Sequence, residues 1–128
     1  MRRNVCDSLN DYKFFCFNGI PKFFKIDFGR FTEHHANYYD IDGNLQPFGE
    51  QEFPPKPEKK LPLPQTLPTM TEIARKLSQG IPFVRVDLYE INGKVYFGEL
   101  TFFPASGTGK LTPPEWNEKI GDLLEFPY

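Results

Sequence analysis

Four side chains between positions 85 and 101 have the types and spacing for phosphate chemistry. Arg85 and Asp87 lie two residues apart in VRVDLYEI, and Glu99 and Thr101 lie two apart in GELTF. Side chains two apart share a face in a strand. Arg85, Asp87 and Tyr89 therefore fall on one surface, while Val84, Val86 and Leu88 point to the core. On the return strand, Val95, Phe97, Glu99 and Thr101 read as one face. Two carboxylates and a hydroxyl suit Mg²⁺, which prefers oxygen ligands and binds through one or two carboxylates plus substrate phosphates. A guanidinium beside them suits a phosphate or a developing negative charge. The same residues support a plainer reading, a cross-strand ion pair between Arg85 and Glu99.

The turn between the strands decides whether the two carboxylates meet. A two-residue Asn92-Gly93 loop pairs Asp87 with Gly98 and sends Glu99 to the opposite face. A three-residue loop, Ile91-Asn92-Gly93 with Gly93 left-handed, pairs Arg85 with Glu99. Asp87 and Glu99 are then diagonal neighbours on one face. A shared site requires that second register or an equivalent bulge.

The elements that must position this hairpin form one α+β domain over residues 1–128: an antiparallel sheet with two helices packed on one face. Residues 12–43 read as a β meander. YKFFCF and KFFKIDF flank Asn18-Gly19, a strong hairpin signal, and a third strand over Ala36–Ile41 ends at Asp42-Gly43. Residues 44–68 are rich in Pro, Lys and Glu and read as an extended surface connection, since Pro interrupts both ladders and helix interiors. Its segment PPKPEKKLPLP has an alternative use as a polyproline ligand for an SH3-like partner. Residues 69–128 read as helix, hairpin, helix. Thr69 to Glu72 has the form of a capping box, and Gly80 is a good terminator, so the first helix is predicted over 70–79. Thr112-Pro113-Pro114-Glu115 opens the second, whose apolar stripe is Trp116, Ile120, Leu123 and Leu124, with Trp116 the core anchor.

Composition narrows the function. The net charge is −2 and no basic stripe is present, which argues against a nucleic-acid partner. No run approaches the roughly 18 apolar residues of a membrane span, and the N-terminus lacks the apolar core of a secretory signal. With Cys6 and Cys16 alone there is no disulfide framework or metal knuckle, so a reduced, cytoplasmic setting is expected and both Cys are read as small hydrophobes. His34 and His35 are adjacent, point to opposite faces of a strand and are read as solvated or loop residues. Gly107-Thr108-Gly109-Lys110 lacks the upstream Gly and following Ser/Thr of a phosphate-binding loop, because Pro104 and Leu111 stand there.

Longer stretches carry a resemblance. R-V-D followed by a hairpin and G-E-L-T-F-F-P-A-S-G resembles the metal-binding end of ATP-grasp ligases, an R-x-D strand followed by E-x-N-x-x-P-G. Arg85 and Asp87 match the first part and Glu99 and Pro104 the second; Thr101 stands where the superfamily has Asn, and Ala105 where it often has Gly. Asp11-Tyr12-Lys13, Gly19 and Arg30 resemble its D-x-[RK]…G…R stretch. With ANYYDIDGN and the closing TPPEWNEKIGDLL, the chain resembles the TupA-like ATP-grasp family, associated with teichuronopeptide and other cell-surface polysaccharide biosynthesis. The resemblance implies the C-terminal half of an ATP-grasp fold and an ATP-dependent carboxylate–amine ligase. It also implies ATP and Mg²⁺ as cofactors and a nucleotide with a small-molecule or saccharide substrate. Asp87, Glu99 and Thr101 would hold metal, Lys13 and Arg30 would face phosphate or substrate, and Arg85 would act in catalysis. The family clasps ATP between two subdomains, so an N-terminal ATP-grasp half is the expected partner, without which efficient turnover is not expected. Two other functions fit less of the sequence: a non-catalytic α+β binding module, and a glycosyltransferase-type role in the same pathway.

Overall fold

Two Asn-Gly turns set the frame in the structure, a computed structural model describing residues 11–28, 33–50, 53–58, 61–102, 111–112 and 115. Asn18 and Gly19 have φ of 54° and 80°, and Asn92 and Gly93 of 54° and 78°. Positive φ at both central residues is the type I′ pattern, whose twist matches that of the flanking strands. The first turn joins β1 (Asp11–Phe17) to β2 (Ile20–Phe28), and the second joins β5 (Phe83–Ile91) to β6 (Lys94–Thr101). With β3 (His35–Asp40), they form a five-stranded antiparallel sheet in the order β3-β2-β1-β5-β6. The predicted meander is thus present, and β1 pairs on its other side with β5. Residues from either side of the Pro-rich segment share one sheet.

The helix, α1 (Leu67–Leu77), starts ahead of the predicted position. Thr69 is inside its first turn rather than capping it. Pro68 is tolerated there because the first-turn N–H groups have no partner within a helix. Glu90 on β5 takes the capping role, accepting from the Thr66 backbone N–H at 2.8 Å and from Thr66 Oγ1 at 2.7 Å. A carboxylate also complements the positive end of the helix. At the other end Gly80, with φ of 78°, turns the chain so that the Ile81 N–H reaches the Ser78 carbonyl at 3.1 Å. Among the described residues α1 is the one helix described over its length. The predicted second helix, with Trp116, lies outside them apart from Glu115, which is helical.

The sheet has two unlike faces. Phe14, Phe24, Ile26, Val84, Val86 and Leu88 are fully buried and pack with Met70 and Ala74 of α1. Cys16 joins this layer as the expected small hydrophobe, and burial pushes its thiol pKa up to about 12, with a Ser78 hydrogen bond opposing. The other face is half aromatic and half charged. Phe15, Phe17, Phe23, Tyr38, Phe48 and Phe83 form its apolar half.

The Pro-rich segment is more than a surface connection. Phe48 and Glu50 are buried in it, and β4 (Gly49–Glu50) pairs with β7 (Leu111–Thr112). Its backbone also completes the β3 edge: the Pro54 carbonyl accepts from the Ala36 N–H, and Asn37 exchanges two side-chain bonds with the Lys56 backbone. Prolines supply acceptors here without needing donors.

Candidate active site on the charged face of the sheet

The carboxylates meet through a bulge, not through the turn. Ile91 pairs with Lys94, so the loop is the two-residue one. Leu88 then pairs with Phe97 but Asp87 pairs with Glu99, leaving Gly98 as one extra residue. Val95 and Leu100 both pack against the α1-side core although they are five residues apart. Only a parity slip between them permits this. The predicted common face for Val95, Phe97, Glu99 and Thr101 is therefore broken at Gly98. Glycine is required at this point: a Cβ on Gly98 would lie 2.9 Å from the Asp87 carbonyl oxygen and 2.9 Å from the Tyr89 ring.

The bulge also moves Arg85. Its register partner is Thr101, not Glu99, and its main ion pair is with Asp87 on its own strand. Arg85 Nε donates to Asp87 Oδ1 at 2.9 Å and Nη2 to Oδ2 at 3.1 Å, a two-point grip. Glu99 Oε2 is farther from Nη2, at 3.7 Å, and its side chain is 65% exposed, so that contact is weakly stabilising. Thr101 Oγ1 accepts from Arg85 Nη2 at 3.4 Å and donates to Glu99 Oε2 at 3.3 Å. Arg85, Asp87, Glu99 and Thr101 thus form one connected set.

Lys13 joins them from β1, directly opposite Asp87. It pairs with Asp11 and, at 3.3 Å, with Asp27. The register partners Glu99, Asp87, Lys13, Lys25 and Tyr38 form one row across all five strands. Two like-charged pairs stand side by side in it, and like charges directly opposite are destabilising. Among the described residues, this face carries the carboxylates of Asp11, Asp27, Glu50, Asp87 and Glu99 against the cations Lys13, Lys25 and Arg85. Burial holds the Asp87 carboxyl above its ordinary pKa, although Arg85 and Lys13 pull it down. A cleft of about 420 Å³ opens at this end, lined by Asp11, Lys13, Arg85, Asp87, Tyr89, Phe97, Gly98 and Glu99. Among the described residues no three His, Cys, Asp or Glu side chains are grouped to hold a metal by themselves. Two carboxylates with a hydroxyl suit Mg²⁺, which leaves several positions to water and phosphate.

A family model of TupA-like ATP-grasp proteins matches residues 1–125. The chain belongs to that family. It is an ATP-grasp-type ligase domain, from a family that typically uses ATP and Mg²⁺. No curated protein and no solved structure matches it. Within this ATP-grasp domain the sequence-predicted Lys13, Arg85, Asp87 and Glu99 line one cleft and Thr101 is bonded to Arg85 and Glu99, whereas Arg30 lies outside the described residues. No described helix is long and apolar enough to cross a membrane.

Sequence reasoning missed Lys25, Asp27, Glu50 and Tyr38. Lys25 Nζ donates to Glu50 and lies 3.6 Å from Asp27, and the Tyr38 hydroxyl donates to Glu50 at 2.8 Å. Burial and the neighbouring Glu50 charge push the Tyr38 hydroxyl well above its ordinary pKa. Period-two spacing in KFFKIDF puts Lys25 and Asp27 on one face and was the available signal; nothing local places Glu50. His34 is a loop residue as expected, just ahead of β3, but it is held rather than solvated. It contacts Asp27 at 3.2 Å and stacks on Phe53 with ring centres 3.8 Å apart.

Proposed function

We propose that this domain binds Mg-ATP on its charged sheet face as part of a carboxylate–amine ligase of cell-surface polysaccharide biosynthesis. The pathway rests on family association; the binding rests on one observation. The Gly98 bulge turns Asp87 and Glu99 to the same face, opposite Lys13 and beside Arg85. A fold built only for stability has no use for two facing carboxylates, whose repulsion a divalent cation relieves.

In this reading Asp87 and Glu99 hold Mg²⁺, and Thr101 adds an oxygen donor. When bound, the ion neutralises phosphate charge and orients the transferring group. Lys13 supplies a cation to the phosphates. Arg85, preoriented by Asp87, brings its guanidinium charge to a phosphate or acyl-phosphate oxygen. No side-chain nucleophile is needed, because the acceptor amine is the attacking group. Arg30 is assigned to the same anionic ligand. The chain acts as one domain, and an N-terminal ATP-grasp subdomain completes the clasp around nucleotide and a small-molecule or saccharide substrate.

Isothermal titration with Mg-ATP tests this. The chain should bind, and Asp87→Ala with Glu99→Ala should abolish the Mg²⁺-dependent part. Absence of binding, or binding indifferent to both substitutions, would overturn the reading and favour a non-catalytic binding module.

A further inference from the structure

Asp27 is buried on β2, one strand beyond Lys13, and its two oxygens have separate tasks. Oδ2 forms an ion pair with Lys13 Nζ at 3.3 Å. Oδ1 accepts from His34 Nε2 at 3.2 Å and lies 3.6 Å from Lys25 Nζ. The Asp27 side chain is only 6% exposed. A buried carboxylate is tolerated only when its lone pairs are met by good partners. Among the described residues, Lys13, Lys25 and His34 are partners of this kind. His34 is itself fixed, lying on the Phe53 ring at an interplanar angle of 19°.

Lys13 needs such a partner. It stands directly opposite Lys25, a like-charged neighbour. A lysine ammonium is a point charge on a flexible stem with three rotatable donors, so its direction must come from its surroundings. Asp11 grips Lys13 from the same strand and lines the cleft. Asp27 grips it from the neighbouring strand and ties it to Lys25, which Glu50 and Tyr38 anchor in turn.

We propose that Asp27 is a positioning residue: acting through Lys13, it holds that ammonium at the cleft for a phosphate oxygen of a nucleoside triphosphate. This rests on the Mg-ATP reading above. Electrostatics and positioning give opposite signs for Asp27→Asn. Removing a negative charge from this face would by itself tighten binding of an anionic nucleotide. Releasing Lys13 weakens it.

The test is Asp27→Asn in the full chain, followed by two measurements. Titration with Mg-ATP should show affinity weakened about tenfold, the size of one lost charge-assisted contact, while affinity for Mg²⁺ alone stays within about twofold. The effect should vanish in a Lys13→Met background. Independently, the ¹H–¹⁵N signal of the Lys13 ammonium, sharp when the group is held, should broaden or disappear in Asp27→Asn. His34→Gln should do both more weakly, and it serves if Asp27→Asn does not fold. Unchanged or tighter Mg-ATP binding, or a retained Lys13 signal, overturns the proposal. If the parent chain binds no Mg-ATP, that reading fails, and the Lys13 signal alone decides whether Asp27 positions it.

Discussion

Gly98→Ala tests the geometry on which the site depends. The added Cβ would meet the Asp87 carbonyl oxygen and the Tyr89 ring, both at 2.9 Å, well inside van der Waals contact. The ring is the end of a side chain and can swing; the carbonyl belongs to the β5 backbone and cannot move without shifting Asp87. Overpacking of this kind typically costs about 1–3 kcal/mol. For a chain of this size that corresponds to a fall in Tm of roughly 3–12 °C. Urea and thermal melts would measure it. Deleting Gly98 is the informative counterpart. It removes the extra residue yet leaves Asp87 opposite Glu99 in a regular ladder, so it should cost less than the alanine. An alanine variant as stable as the parent, or a deletion clearly worse than the alanine, would refute the argument that the glycine is present to fit a bulge.

Further outcomes follow from the titration of two groups, Asp87 and Cys16. Burial keeps the Asp87 carboxyl above its ordinary value of 3.8. The folded chain then holds a proton that the unfolded chain has released, so between those two values stability declines as pH rises, and the decline should be absent in Asp87→Asn. On the proposed function, Mg²⁺ competes for the same site, so its affinity should begin to fall with decreasing pH above 3.8, read by titration calorimetry across pH. The Cys16 thiol, raised from 9.0 to about 12, should resist thiol reagents at pH 8 in the folded state and react on unfolding. Its raised value also removes stability as pH climbs past 9.0, because the unfolded thiol ionises first. Fast labelling of the folded chain at Cys16 would contradict the burial argument.

Local rules were readable wherever one residue type settles a backbone. Asn18-Gly19 and Asn92-Gly93 signalled their turns because few other pairs accept two positive φ values. Strand alternation correctly divided Val84, Val86 and Leu88 from Arg85 and Asp87. The hairpin register was not readable, because a two-residue turn plus a bulge and a three-residue turn leave nearly the same trace in sequence. The close approach at Gly98 is a tertiary fact. Glu50 was hidden for a similar reason: its partners Lys25 and Tyr38 lie on strands 25 and 12 residues away, so no local period relates them. The start of α1 was misplaced because its cap comes from Glu90, 24 residues beyond Thr66.

The ladder between β1 and β5 has a consequence for how the chain folds. Each hairpin closes over a two-residue turn and can form within microseconds. The two are joined only when Phe17 meets Phe83, 66 residues later in the chain. Zipping the halves must therefore await a long loop closure, so assembly should be slow relative to its parts. The same arrangement makes the molecule divisible. A chain cut at the Pro57–Glu58 turn leaves a meander and a helix-hairpin piece, each with its own local turn and one side of a seven-pair seam. Lys13 would stay on one fragment and Asp87 on the other, so the cleft would exist only while the two are docked.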